Sequence, residues 1–257
     1  MAHTIALAGK GGVGKTTICG MLVHYLCAKK QGAVLAVDAD ANSNLNEVLG
    51  MEIETTLGDI REEMAQAEIS LDNPIPIGMT KQEFAELKFT EALAEGDDYD
   101  MLVMGRTQGK GCYCFVNGIL TTQVAKYAAN YRYIVVDNEA GMEHLSRGVL
   151  PAVDSVILVS DASRRGVQAC ARIHELVKDL NLVKSGKVKL LVNRAPGGVL
   201  AEGVEELIRE SGMELLGVLP QDETVYEYDG AGKPTAYLPK DNPLKKALYE
   251  ALDKITF

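Results

Sequence analysis

Apolar and polar positions come in two alternating patterns along this chain. Short continuous apolar runs at 4–8, 33–37, 101–104, 133–136, 155–159, 188–192 and 215–219 read as buried strands. Between them lie stretches with a helical period. The first covers 17–30, apolar at Ile18, Met21, Leu22, Tyr25 and Leu26; others cover 117–129, 167–180, 205–211 and 242–254. Thr80 with Glu83 three residues later forms a capping-box signature that opens a helix running to about residue 94. Strand alternating with helix predicts an α/β fold: a doubly wound, mostly parallel sheet flanked by helices. Residues 51–98 are more polar and read as an insertion of short helices. No repeat, low-complexity tract or linker interrupts the chain, so a single domain over 1–257 is expected.

The first strand runs into Gly9-Lys10-Gly11-Gly12-Val13-Gly14-Lys15-Thr16-Thr17, which fits the phosphate-binding pattern G-x-x-x-x-G-K-[ST]. A triphosphate needs several N–H donors converging on one concavity, and glycines let the backbone approach without a Cβ clash. The helix that follows adds the positive end of its dipole. Lys15 is placed to reach the outer phosphates and the Thr16 hydroxyl to ligate Mg²⁺. A strand before the loop and a helix after it supply the context this loose pattern needs, and a P-loop NTPase fold is the expectation.

In open parallel sheets ligands sit at the carboxyl ends of the strands, and the unusual polar groups of this chain fall there. Asp38 and Asp40 follow the second strand; two carboxylates beside a phosphate site can hold Mg²⁺ or orient an attacking water. Asp137 ends a run of four apolar residues, as an acid reaching Mg²⁺ must, and Gly141 follows four residues later. Asn193-Arg194 ends a late strand, and Pro220-Gln221-Asp222 ends the next. The absence of an N-K-x-D motif points to adenine rather than guanine.

Composition narrows the function classes. Net charge is −10, without the basic footprint of a nucleic-acid binder. No apolar run approaches the ~20 residues of a membrane span, and Met1 leads straight into the first strand without a signal peptide, so a cytoplasmic protein without stable membrane association is expected. Five cysteines, odd in number and unevenly spread, argue against a disulfide framework. Cys19, Cys27 and Cys170 read as core filler. Cys112-Tyr113-Cys114 differs: it follows a polar, glycine-rich run, and in extended backbone the two thiols face the same way. A disulfide between them would be strained. Two thiolates are half of a tetrahedral S₄ site, and a two-fold axis through this segment of a homodimer would supply the other half. Such a site selects Ni²⁺, Zn²⁺, Cu⁺ or an iron–sulfur cluster.

The loop K-G-G-V-G-K-T-T, with its extra lysine Lys10, resembles the deviant Walker A loop of the ATPase group that includes nitrogenase iron protein, the Min and Par partitioning ATPases and the arsenite-pump ATPases. The resemblance implies an ATP-hydrolysing homodimer, with Lys10 reaching the partner's nucleotide. It implies that Asp40 serves the attacking water, with Asp38 as a helper near the metal. Asp137 is then the Mg²⁺-reaching acid, and the Gly141 N–H meets the γ-phosphate. Asn193 and the Pro220-Gln221-Asp222 segment are implied to hold the adenine. The residues between Asp137 and Gly141, Asn138-Glu139-Ala140, depart from the D-x-P-A-G of the partitioning branch.

With the C-x-C included, nearly the whole chain is similar to the nickel-insertion ATPases of carbon monoxide dehydrogenase maturation. That resemblance implies ATP/ADP, Mg²⁺ and Ni²⁺ or Zn²⁺ as ligands, Cys112 and Cys114 as metal ligands, and apo carbon monoxide dehydrogenase as partner. A sister group serving acetyl-CoA synthase has nearly the same motifs. Two other readings stand beside it: an ATP-gated iron–sulfur reductase, whose cysteines would lie far apart in sequence, and a Min/Par-like spatial switch, which needs a recruiting tail such as an amphipathic C-terminal helix.

Overall fold

The computed structural model describes residues 2–29, 32–40, 44–69, 75–105, 122, 125–138 and 153–255. Seven strands form one sheet: β1 (His3–Gly9), β2 (Val34–Ala39), β3 (Asp100–Val103), β4 (Tyr133–Asn138), β5 (Val153–Asp161), β6 (Val183–Ala195) and β7 (Glu214–Pro220). Their order is β3-β2-β4-β1-β5-β6-β7, and every neighbouring pair is parallel. All seven expected strands are present. β5 and β6 run past their apolar runs, because residues at their amino ends still pair, Val153 with Val183 and Lys187 with Ser155.

Helices cover both faces, as the continuous apolar strands require. On one face, α1 (Lys15–Ala28) and α8 (Pro243–Leu252) pack on Ile5, Leu7, Val135 and Leu191. On the other, α3 (Leu57–Ile69), α4 (Lys81–Ala92) and α5 (Arg164–Asp179) pack on Ala6, Ala8, Ile134 and Leu190. The even and odd positions of each strand thus divide between two cores. This parity sends Asp38, Asp137 and Asn193 to the face that α1 covers.

The 51–98 stretch is helical where expected. The Thr80–Glu83 capping box forms, with the Thr80 amide donating to Glu83 Oε2 at 2.8 Å and Thr80 Oγ1 accepting from the Glu83 amide at 3.2 Å. α4 stops at Ala92 rather than near 94, because Ala94 turns extended and bridges Met101 in antiparallel fashion. Three further helices are α2 (Leu45–Leu49), α6 (Glu202–Glu210) and α7 (Glu223–Gly230). α2 and α7 are too short for an apolar period to show in sequence. The helix expected over 117–129 lies mostly outside the described residues. The C-terminal α8 commits Leu244, Leu248, Ala251 and Leu252 to the core, so this apolar face packs on the sheet and is not a recruiting surface. Among the described residues, no helix is long and apolar enough to cross a membrane.

Candidate functional site

β1 ends at Gly9, and residues 10–14 turn the chain into α1. Gly9, Gly12 and Gly14 take positive φ, at 150°, 78° and 91°. At Gly9 a Cβ would stand 2.1 Å from the Val159 carbonyl oxygen; at Gly14 it would stand 2.6 Å from Asn193 Nδ2. Contact on two sides and left-handed backbone leave glycine as the residue that fits both places. Gly14 caps α1 without a side-chain acceptor, so the first-turn amides are left for an anion. Lys15 opens α1 and is only 6 % exposed; its ammonium donates to the Lys10 carbonyl at 3.2 Å. Lys10 itself is exposed. Gly11 and Val13 complete the loop, and Thr17 follows Thr16 on the first turn of α1.

Beneath the loop lie two buried acids. Asp38 and Asp137 are register partners on β2 and β4, 0 % and 1 % exposed. Burial pushes the Asp137 carboxyl up to about 7, with the neighbouring Asp38 adding to it; a hydrogen bond from Thr16 and the charge of Lys15 pull the other way. Asp137 Oδ1 is buried without a hydrogen-bond partner among the described residues. Burial likewise raises Asp38 to about 6, against the pull of backbone hydrogen bonds. Its Oδ1 accepts from the Asp40 amide at 3.0 Å and its Oδ2 from the Leu45 amide at 2.9 Å, so both oxygens are engaged in shaping the turn that carries Asp40. The Thr16 hydroxyl and the orphaned Asp137 oxygen are hard donors, side by side below the phosphate loop. That donor set fits Mg²⁺, which prefers one or two carboxylates plus phosphate oxygens.

The carboxyl end of β6 closes the other side. Asn193, 4 % exposed, donates from Nδ2 to the Val13 carbonyl at 2.9 Å, while its Oδ1 is buried without a partner among the described residues. One amide hydrogen expected at the adenine edge is therefore already committed to the loop; the second hydrogen and Oδ1 remain. Arg194, for which the motifs predict no role, has φ 55° and donates from its guanidinium to the Gly12 carbonyl at 2.8 Å. The guanidinium carbon sits 5.6 Å from the centroid of the half-exposed Tyr226 ring on α7. Pro220 pairs with Ala195, and the Gln221 amide donates to the Ala195 carbonyl at 3.0 Å, which ties the ends of β6 and β7 together. Asp222 caps α7, accepting from the Thr224 amide at 2.8 Å and from Asn242 Nδ2 at 2.9 Å.

Lys15, Thr16, Asp38, Asp137 and Asn193 are thus brought together at one loop, with the Pro220-Gln221-Asp222 segment tied to the end of β6 beside them. Beside it, a cleft of about 680 Å³ runs from Thr16 and Thr17 past Glu47 to Lys233 and Thr235. Gly141, Cys112 and Cys114 lie outside the described residues. Cys19 and Cys170 are fully buried, as core filler should be, while Cys27 is half-buried with its thiol on the Asp98 carbonyl at 3.4 Å. Among the described residues, no group of three or more His, Cys, Asp or Glu is arranged to hold a metal.

The chain is 42 % identical over 251 residues to an uncharacterized ATP-binding protein of Methanocaldococcus jannaschii, covering 98 % of this chain and 97 % of that one. It is 28 % identical to the carbon monoxide dehydrogenase accessory protein CooC of Rhodospirillum rubrum, covering 89 % and 87 %. Among solved structures it is similar to the septum site-determining protein MinD of Pyrococcus horikoshii in complex with Mg-ADP, with TM-score 0.70, 20 % identity and coverage of 99 % and 96 %. Residues 4–235 match the model of the CobQ/CobB/MinD/ParA nucleotide-binding domain, and the chain belongs to that family of P-loop ATPases.

Proposed function

We propose that this protein is an ATP-hydrolysing homodimer that serves the maturation of a nickel enzyme. The observation that carries the ATPase reading is the buried pairing of Thr16 with Asp137, whose second oxygen has no partner among the described residues, beneath a glycine-built phosphate loop. Thr16 and Asp137 would hold Mg²⁺, which supplies charge neutralisation between the outer phosphates. Lys15 draws the same phosphates, and Asp40, held by the turn that Asp38 shapes, orients the attacking water. Lys10, exposed at the mouth, reaches the nucleotide of a second copy. Hydrolysis is the reaction class these groups serve.

The nickel role rests on Cys112 and Cys114 and on the likeness to CooC, whose name makes it an accessory of carbon monoxide dehydrogenase. Two thiolates from each subunit build a four-sulfur site that takes Ni²⁺ as cargo, or Zn²⁺ in its place, and ATP turnover rearranges that site. Apo carbon monoxide dehydrogenase is the proposed partner, and acetyl-CoA synthase the alternative target. Anaerobic Ni²⁺ titration followed by absorbance and light scattering, with and without ATP, tests this in wild type and Cys112→Ala. One Ni²⁺ per dimer, with thiolate charge-transfer bands lost in the variant, is expected. An iron-dependent chromophore without Ni²⁺ binding would replace this reading with the reductase. No metal at all, with ATP dimerisation intact, would leave a switch ATPase.

A further inference from the structure

Adjacent residues at the end of β6 hold adjacent carbonyls of the phosphate loop. Asn193 takes the Val13 carbonyl and Arg194 the Gly12 carbonyl. A trans peptide is planar, and its N–H points opposite to its C=O. Fixing the Gly12 carbonyl on Arg194 therefore turns the Val13 amide away from β6, and fixing the Val13 carbonyl on Asn193 does the same for the Gly14 amide. These are central amides of the loop, and an amide turned away from β6 is left available to a phosphate chain. Without the anchors, the peptide planes flanking two left-handed glycines, Gly12 and Gly14, would turn freely.

The backbone of Arg194 points the same way. At φ 55° it is one of two described non-glycine residues with positive φ, the other being Asn181. Asn tolerates the left-handed region; arginine has no local reason to occupy it. The conformation aims the guanidinium back across the loop, with Tyr226 on its other side. Strain of this kind persists where the surroundings over-determine it, and it collects at functional sites.

We infer that Arg194 is a positioning residue for phosphate binding: it sets the peptide planes of the phosphate loop so that the Val13 amide faces the phosphate chain, while Asn193 does the same for Gly14. This rests on the ATP-binding reading above. It gives Arg194 a role toward phosphates rather than toward the base, although Tyr226 and the β7 end lie beside it.

The test uses calorimetric titration of the full chain with MgATP, with inorganic tripolyphosphate and with MgGTP, plus thermal melts. Arg194→Gly removes the guanidinium while leaving a residue suited to φ 55°, so the melting midpoint should hold or rise. Affinity for MgATP and for tripolyphosphate should fall together, by about ten-fold or more, as expected for a lost charge-assisted hydrogen bond. The ATP-to-GTP ratio should not change. Arg194→Lys, which keeps a cationic donor, should recover most of the loss. A merely structural role would move the melt and not the tripolyphosphate affinity, and that outcome overturns the inference. Loss for MgATP with tripolyphosphate unaffected would make Arg194 a base contact and also overturn it. If wild type binds neither MgATP nor tripolyphosphate, the ATP-binding reading falls and takes this inference with it. If wild type binds both and Arg194→Gly binds them equally well, only the inference falls.

Discussion

Asp38 and Asp137 face each other across adjacent parallel strands, as register partners with almost no exposure to solvent. Neighbouring strands lie roughly 4.8 Å apart, so two carboxylates here repel each other as well as resent burial. Burial raises both, Asp137 to about 7 with Asp38 adding to it, and Asp38 to about 6 with Asp40 adding to it. A cation beside the pair would relieve it in its ionised form, which is a reason for it to lie beneath a phosphate loop.

The pair makes stability depend on pH in a definite direction. Between about pH 4 and 7 the folded protein holds protons that the unfolded chain has released, so the ligand-free protein loses stability as pH rises through that window. Binding of Mg²⁺ with nucleotide needs the carboxylates ionised, so its affinity should climb over the same range with release of protons. Melting curves between pH 5 and 8, with and without MgADP, check this. Asp137→Asn should flatten the ligand-free profile and abolish the Mg²⁺ dependence. A ligand-free profile that rises with pH and ignores this substitution would show that the pair is not titrating as placed.

Gly9→Ala tests whether the loop's entry is as tight as its geometry implies. The new Cβ would meet the Val159 carbonyl oxygen at 2.1 Å, and that oxygen belongs to β5, a strand paired on both sides that cannot move aside cheaply. Overpacking combined with a strained φ should cost about 2–4 kcal/mol and lower the melting midpoint accordingly. A melting curve matching wild type would show that β1 and β5 are farther apart at this point.

Most of this site was legible in the sequence because each of its strands is a continuous apolar run ending in a polar residue. That Asp38, Asp137 and Asn193 share one face was not legible, because a run that is apolar on both sides does not show which way its last residue points; the strand register supplies it. Hydrogen-bond direction was not legible. Nothing in Asn193-Arg194 announces that the first side chain reaches Val13 and the second Gly12, since both bonds span about 180 residues of chain. Nor does the D-x-D spacing reveal that Asp38 spends its oxygens on the amides of Asp40 and Leu45. The short α2 and α7 escaped because a helix of five or eight residues shows too little period.

Lys15→Ala should separate fold from chemistry. Among the described residues the lysine's hydrogen bond is the 3.2 Å contact with the Lys10 carbonyl, so its removal should leave the stability read from melting curves within about 1 kcal/mol of wild type. Phosphate release from ATP should nevertheless fall at least a hundred-fold, because a charge aimed at the transferring phosphoryl group is lost. An active Lys15→Ala protein would require another cation at the outer phosphates.

Asp40→Ala should give the opposite signature, with nucleotide retained and turnover lost. The backbone amide of residue 40, which donates to Asp38 Oδ1 at 3.0 Å, survives the substitution, so the turn and the acid pair beneath the loop stay in place. The phosphate loop, Thr16 and Asp137 are likewise untouched, and MgATP should bind about as well as to wild type. What goes is the carboxylate that orients water, an effect worth about 10²–10⁴-fold in rate. With ATP bound and not consumed, subunits joined across Lys10 should accumulate as a stable dimer in light scattering, where wild type returns to its resting state as ATP is spent. Retained hydrolysis would move the water-orienting role to another acid. Loss of ATP binding would show that Asp40 holds the nucleotide or its metal, leaving the attacking water to be placed by a different group.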